Sequence, residues 1–129
     1  MTWPADDLKR IARSLLLRVN PQRADGTASR DVTVGFVIVD GDIYVRSMTA
    51  SGLWYRRALA NGAGIIRAGR VIRTMREVTF HDGADAPHEQ VDAAYAKKYR
   101  LAGRRMIESI TNEAMQPLTV RIDLRPTTL

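Results

Sequence analysis

From Val45 to Leu59 the chain reads Val-Arg-Ser-Met-Thr-Ala-Ser-Gly-Leu-Trp-Tyr-Arg-Arg-Ala-Leu, and three anion-binding features fall within that span. Arg46, Arg56 and Arg57 carry guanidinium forks that match phosphate. Ser47, Thr49 and Ser51 add hydroxyl donors, and a helix starting near Trp54 would present free backbone N–H groups. A glycine-rich cradle is missing, because only Gly52 stands in the segment and neither GxGxxG nor GxxxxGK[ST] occurs anywhere. The competing reading is a basic surface corner in which Arg46 faces solvent or pairs with a carboxylate such as Asp42. Trp54 offers a face on which a flat ring could stack, although a Trp at the start of a short helix also serves as a packing plug.

Other candidate chemistry is thinner. His81 and His88 flank Asp82 and Asp85, which allows an acid–base pair, but no third ligand or nucleophile stands at a recognisable spacing. The chain has no cysteine and two histidines, so thiolate chemistry is excluded and no metal site is expected. A GxSxG elbow is absent. Asp6, Asp7, Glu89 and Asp92 suit the first turns of helices and need no further role. Tyr95 and Tyr99, four residues apart, share a helix face and read as core or dimer-seam residues.

The frame that must position these residues is a chain of 129 residues, read as one domain over 1–129. Its 45% hydrophobic and 26% charged content is that of an ordinary globular chain. No apolar run reaches membrane-spanning length and nothing in the first ten residues resembles a signal peptide, so the expected location is cytoplasmic. The net charge of +6 favours anionic partners. Only three of the twenty basic residues are lysine, and they are scattered in ones and twos. A nucleic-acid surface would rest on Lys9, Arg10, Arg13, Arg18, Arg104 and Arg105, and ranks third among the functional readings.

Periodicity predicts a helix over 5–18 on Leu8, Ile11, Leu15 and Leu16, closed by Asn20-Pro21. A β-branched run over 31–39 and a strand over 43–47 are joined by Asp40-Gly41, a strong hairpin signal. A short helix follows over 54–60, with Ser51 as N-cap and Asn61-Gly62 as its stop. Strands are expected over 64–67 and 71–80 around Ala68-Gly69, then a loop to Pro87. One kinked helix or two should fill 88–115, and an alternating strand should run from Leu118 to Arg125. Five strands joined mainly by hairpins, with helices between them, point to an α+β fold built on a small antiparallel barrel with peripheral helices.

The phrases Val39-Asp-Gly-Asp-Ile-Tyr-Val-Arg-Ser47, Trp54-Tyr-Arg-Arg-Ala-Leu59, Val78-Thr-Phe80 and Val91-Asp-Ala-Ala-Tyr-Ala-Lys-Lys-Tyr99 resemble the family known as domain of unknown function 2255. That family is similar in fold to the split β-barrels that bind flavin mononucleotide (FMN) or deazaflavin, including pyridoxamine-phosphate-oxidase-like and nitroreductase-like enzymes. The resemblance implies a homodimer with a cofactor groove between subunits and a possible flavin- or deazaflavin-dependent oxidoreductase. It places cofactor phosphate near Arg46, Ser47, Thr49, Ser51 and Arg56 or Arg57, with Trp54 against the ring. A barrel that binds no cofactor and serves as a dimeric interaction module is equally open, because fold does not fix function.

Overall fold

Residues 3–69 and 73–126 are described in the computed structural model of the chain. Six strands, β1 (Leu16–Pro21), β2 (Val32–Val39), β3 (Asp42–Arg46), β4 (Ala63–Ala68), β5 (Thr74–Asp82) and β6 (Thr119–Leu124), close into a barrel in the order β1-β2-β3-β6-β5-β4. Every neighbouring pair is antiparallel. Four helices lie outside it: α1 (Ala5–Ala12), α2 (Leu53–Asn61), α3 (His88–Lys98) and α4 (Arg104–Thr111). No described helix is long and apolar enough to cross a membrane.

Alternation builds the interior. Leu17, Val19, Phe36, Ile43, Val45, Ile66, Val78, Phe80, Val120 and Ile122 point inward and are almost wholly buried. Trp3 and Ile11 join this core beside α1, as do Tyr55 and Ala58 from α2, and the Trp3 indole donates to the Ile122 carbonyl at 2.8 Å. A bidentate pair from the Arg76 guanidinium to Asp7 ties α1 to β5, so this first-turn carboxylate does more than favour the helix dipole. Gly64 faces the Asn20 carbonyl and the Phe80 ring, each 2.5 Å from where a Cβ would stand, so no larger residue fits between them.

Several expected boundaries hold. Asp40 and Gly41 both take positive φ, 51° and 83°, and join β2 to β3 in a two-residue turn. Gly62 ends α2 in the left-handed conformation. Others are corrected. Gly52, with no side-chain cap, occupies the N-cap of α2 in place of Ser51. Helix α1 stops at Ala12, and the segment read as its last turn contains β1, a sixth strand. Leu15 and Leu16 fit a helical stripe by spacing yet are 61% and 47% exposed, while Leu17 and Val19 enter the barrel. Strand β5 begins at Thr74 and runs through Asp82; the expected strand residues Val71 and Ile72 lie outside the described residues. His81 is on that strand and meets Asp123 of β6 at 3.1 Å, not the adjacent Asp82 or Asp85.

Along β3, Ile43 and Val45 face the barrel interior, and Tyr44 and Arg46 face the other side. The second face is not solvated, however. Helix α3 covers it, burying Tyr44 and Arg46 with Val37, Val39, Val91 and Tyr95. Where β2 parts from its neighbours, α3 and the residue that caps it supply the missing partners. The last β1–β2 pair is Leu16 with Gly35, and the last β2–β3 pair is Phe36 with Val45. At the next step of the first ladder the Tyr99 hydroxyl accepts from Phe36 N at 2.9 Å and donates to the Leu15 carbonyl at 2.6 Å. At the next step of the second, the Tyr95 hydroxyl accepts from Arg46 N and donates to the Gly35 carbonyl, both at 3.1 Å. Burial pushes both phenols above the usual tyrosine range, so they remain protonated and able to do this.

Removing the Tyr95 hydroxyl would strand a buried donor and a buried acceptor. Tyr95→Phe should therefore cost about 1–3 kcal/mol. Denaturant unfolding checks this, and a midpoint equal to the parent's would show that the two backbone groups find each other directly.

Candidate functional site

The opening beyond Gly35 and Arg46 is a groove of about 600 Å³. One wall is the first half of β2 and another is the apolar face of α4, from Met106, Ile107 and Ile110. Tyr95 and Tyr99, stacked with centroids 5.8 Å apart, also line it, and Met48 and Trp54 enter from the segment between β3 and α2. Trp54 is half-buried and meets Tyr55 edge to face at 6.2 Å, so it both packs on the barrel core and lines the groove. A Cβ at Gly35 would stand 3.3 Å from the Tyr99 hydroxyl, close enough to push it by a few tenths of an ångström.

Of the residues that sequence reasoning assigned to a cofactor, the groove gathers Arg46, Ser47, Thr49 and Trp54. Ser51, Arg56 and Arg57 do not line it. Arg46 pairs with a carboxylate, as the competing reading allowed, but its side chain is buried and the partner is Asp92 of α3 rather than Asp42. Nε donates to Thr119 Oγ1 at 3.1 Å, and Nη1 also reaches the Ile110 carbonyl at 3.1 Å. Nη2 lies 3.2 Å from His88 Nδ1. A guanidinium only donates, so Nδ1 accepts, and the His88 Nε2–H donates to the Ala84 carbonyl at 2.7 Å. These two contacts place the ring hydrogen of His88 on Nε2. Arg46 thus joins β3, β6, α3 and the end of α4.

Ser47 and Thr49 are likewise committed locally. The Ser47 hydroxyl donates to the Thr49 carbonyl at 2.6 Å and accepts from Thr49 N at 3.3 Å, which shapes the turn out of β3. The Thr49 side chain and the Trp54 ring retain faces for a ligand. The groove as a whole presents far more carbon than polar surface, so it suits a flat apolar or aromatic group better than a phosphate.

Beside the groove, Lys98 lays its amine 3.1 Å from the centroid of the Phe36 ring and donates to the Phe36 carbonyl at 2.9 Å. Burial lowers its pKa from 10.5 to about 8. Nothing in the sequence marks this lysine, because its environment is made by β2, sixty residues earlier. Among the described residues no cluster of three or more potential metal ligands occurs.

Two measurements follow from these placements. Arg46→Ala, which leaves Asp92 partly buried without its cation and strips Thr119 and Ile110 of a donor, should destabilise the fold by about 3 kcal/mol. A loss within a few tenths of a kcal/mol would mark the pair as dispensable. Lys98 makes stability rise as pH rises from about 8 towards 10.5, since over that window the unfolded chain holds a proton that the folded chain has released. The gain between pH 7.5 and 9.5 should be roughly 1 kcal/mol, reduced by partial exposure of the amine, and Lys98→Met should abolish it.

Residues 7–122 match the profile of a family described as uncharacterized proteins conserved in bacteria (DUF2255). The fold is similar to that of the conserved hypothetical protein Rv2991 from Mycobacterium tuberculosis, with a TM-score of 0.67, 15% identity and coverage of 98% of this chain and 82% of that one. It is also similar to ChuZ from Campylobacter jejuni, with a TM-score of 0.64 and 14% identity, covering 93% of this chain and 51% of that one. At such identities the likeness establishes the fold, a six-stranded split β-barrel with peripheral helices. No curated protein matches the sequence.

Proposed function

The chain belongs to the DUF2255 family, and we propose from its site that it binds a planar, phosphorylated small molecule, a flavin or deazaflavin in the first instance, with the ring in the groove beside Trp54. The observation that carries this reading is the groove itself. Its volume of about 600 Å³ lies in the range of small-molecule sites, and its walls of aromatic, Met and Ile side chains match a flat ring. A bound flavin or deazaflavin would carry hydride chemistry on its own ring, leaving the chain to orient it and exclude water.

A second copy of the chain is part of this proposal. Leu15, Met48 and Met106 line the groove and are 61%, 51% and 54% exposed, and Leu101, beside the groove residue Ala102, is 93% exposed. Such a rim is unusual for a surface left in water. A homodimer that covers it would close the groove. The same rim supports the second reading, a dimeric interaction module that binds no cofactor.

Titration separates the two. FMN and a deazaflavin should each be tested for fluorescence quenching, with at least one expected to bind at a defined stoichiometry and Trp54→Ala expected to weaken it about tenfold. Absence of quenching by both, in a protein that light scattering shows to be dimeric, would leave the interaction module. A monomer at micromolar concentration would remove the second copy from either reading.

A further inference from the structure

Leu15, Leu16 and Thr33 of the groove also line a second cavity, a cleft of about 1120 Å³ beside the end of α1, β1, the end of β4 and the start of β5. Among the described residues, Arg10, Arg13, Arg18, Arg67 and Arg73 line it and no carboxylate does. Arg67 is neutralised by Asp31 at 2.6 Å. Among the described residues, Arg10, Arg13, Arg18 and Arg73 have no carboxylate within ion-pairing distance. The nearest acceptor recorded for Arg18 is the Gly69 carbonyl, at 3.5 Å.

Strand register makes this concentration of charge unusual. Arg18 on β1 is paired directly with Arg67 on β4, and on its other side with Thr33 of β2. Directly opposed residues have Cβ atoms about 4.5–5.5 Å apart, and like charges in that position are destabilising. The single carboxylate, Asp31, compensates only one of the two. The buried Ser14 hydroxyl accepts from Gly69 N at 2.6 Å and fixes the end of α1 against the end of β4, so the arginines of α1 and of the barrel share one concave wall. A wall that carries several unpaired guanidinium forks is suited to phosphate oxygens.

We infer that this arginine cleft, and not the Arg46–Arg57 corner, is the subsite for the phosphate-bearing end of the ligand. The inference rests on the proposed groove ligand for its ring and on the cleft alone for its anion. Arg46 is already engaged by Asp92, Thr119, Ile110 and His88 and is buried beneath α3, so it has little left to offer a phosphate. A ring beside Trp54 would extend its side arm past Leu15 and Thr33, which line both cavities, and place the phosphate among Arg10, Arg13, Arg18 and Arg73. With four unpaired cations, the cleft suits an anion of two or more charges.

The test compares FMN with riboflavin, which share a ring and differ by the phosphate, and uses inorganic tripolyphosphate as a ring-free probe. The parent should bind FMN at least tenfold tighter than riboflavin, and calorimetry should show tripolyphosphate binding that weakens with salt. The double variant Arg13→Gln/Arg18→Gln should abolish the preference for FMN and the tripolyphosphate binding while leaving riboflavin affinity unchanged. Arg56→Gln/Arg57→Gln should alter none of these. Equal affinity for FMN and riboflavin, or loss of the preference in the Arg56/Arg57 variant instead, would overturn the subsite while leaving the ring site standing. If neither flavin binds, the groove reading fails separately and tripolyphosphate decides the cleft. Binding lost in the Arg13/Arg18 variant then supports it, and no binding, or binding unchanged in that variant, refutes it. Tighter, Arg13- and Arg18-dependent binding of a 20-mer DNA duplex than of tripolyphosphate would also refute it, in favour of a nucleic-acid surface.

Discussion

Two phenolic hydroxyls decide the shape of this barrel. A strand that leaves its neighbours exposes backbone donors and acceptors, and in a buried position each unmet group costs on the order of 1–3 kcal/mol. Strand β2 leaves both neighbours near Gly35, and Tyr95 of α3 and Tyr99, the residue that caps that helix, meet the four groups that the two separations would otherwise orphan. The strands can therefore part there while their backbone groups stay bonded. The groove lies beside this parting, with Tyr95 and Tyr99 in its wall.

The same helix controls the electrostatics. Asp92 projects from α3 onto Arg46, and His88, at its first turn, accepts from the same guanidinium. A buried cation must be paired to be tolerated. Once it is held by a carboxylate, a carbonyl, a hydroxyl and an imidazole, it serves to bind β3 to α3 and α4. Positive charge remains unpaired at the opposite end of the groove, where Arg18 and Arg67 face each other across β1 and β4 with a single carboxylate between them. The molecule thus separates an apolar ring-sized space from a concentrated field of cations.

The sequence made some of this legible and hid the rest for identifiable reasons. Asp40-Gly41 and Gly62 could be read because their conformations are set by local sterics. The inward set of β3 could be read because alternation is also local. What covers its outer face could not, since α3 lies more than forty residues away along the chain. That is why Arg46 resembled a surface phosphate clamp. Strand β1 was hidden because Leu15, Leu16 and Ile11 satisfy a helical repeat as well as Leu17 and Val19 satisfy a strand. With β1 missed, Arg18 stood on a helix beside Arg13, and its partnership with Arg67 was invisible. Tyr95 and Tyr99 were rightly placed on one helix face, but spacing cannot tell a packed ring from a hydroxyl completing a sheet.

The closeness of the two cavities follows from that strand. β1 forms part of the barrel wall on one edge through Leu17 and Val19, and through Arg18 it contributes to the cleft. Its preceding residues Leu15 and Leu16 line both spaces. The Tyr99 hydroxyl holds the Leu15 carbonyl, so the position of this shared edge is set by α3 as well. The walls of the two cavities are held relative to each other by the hydrogen bond at Leu15 and by the β1–β4 ladder. Charge at the cleft and shape at the groove can then vary by substitution of outward-facing residues such as Arg18 or Met106, without disturbing the inward-facing residues that close the barrel.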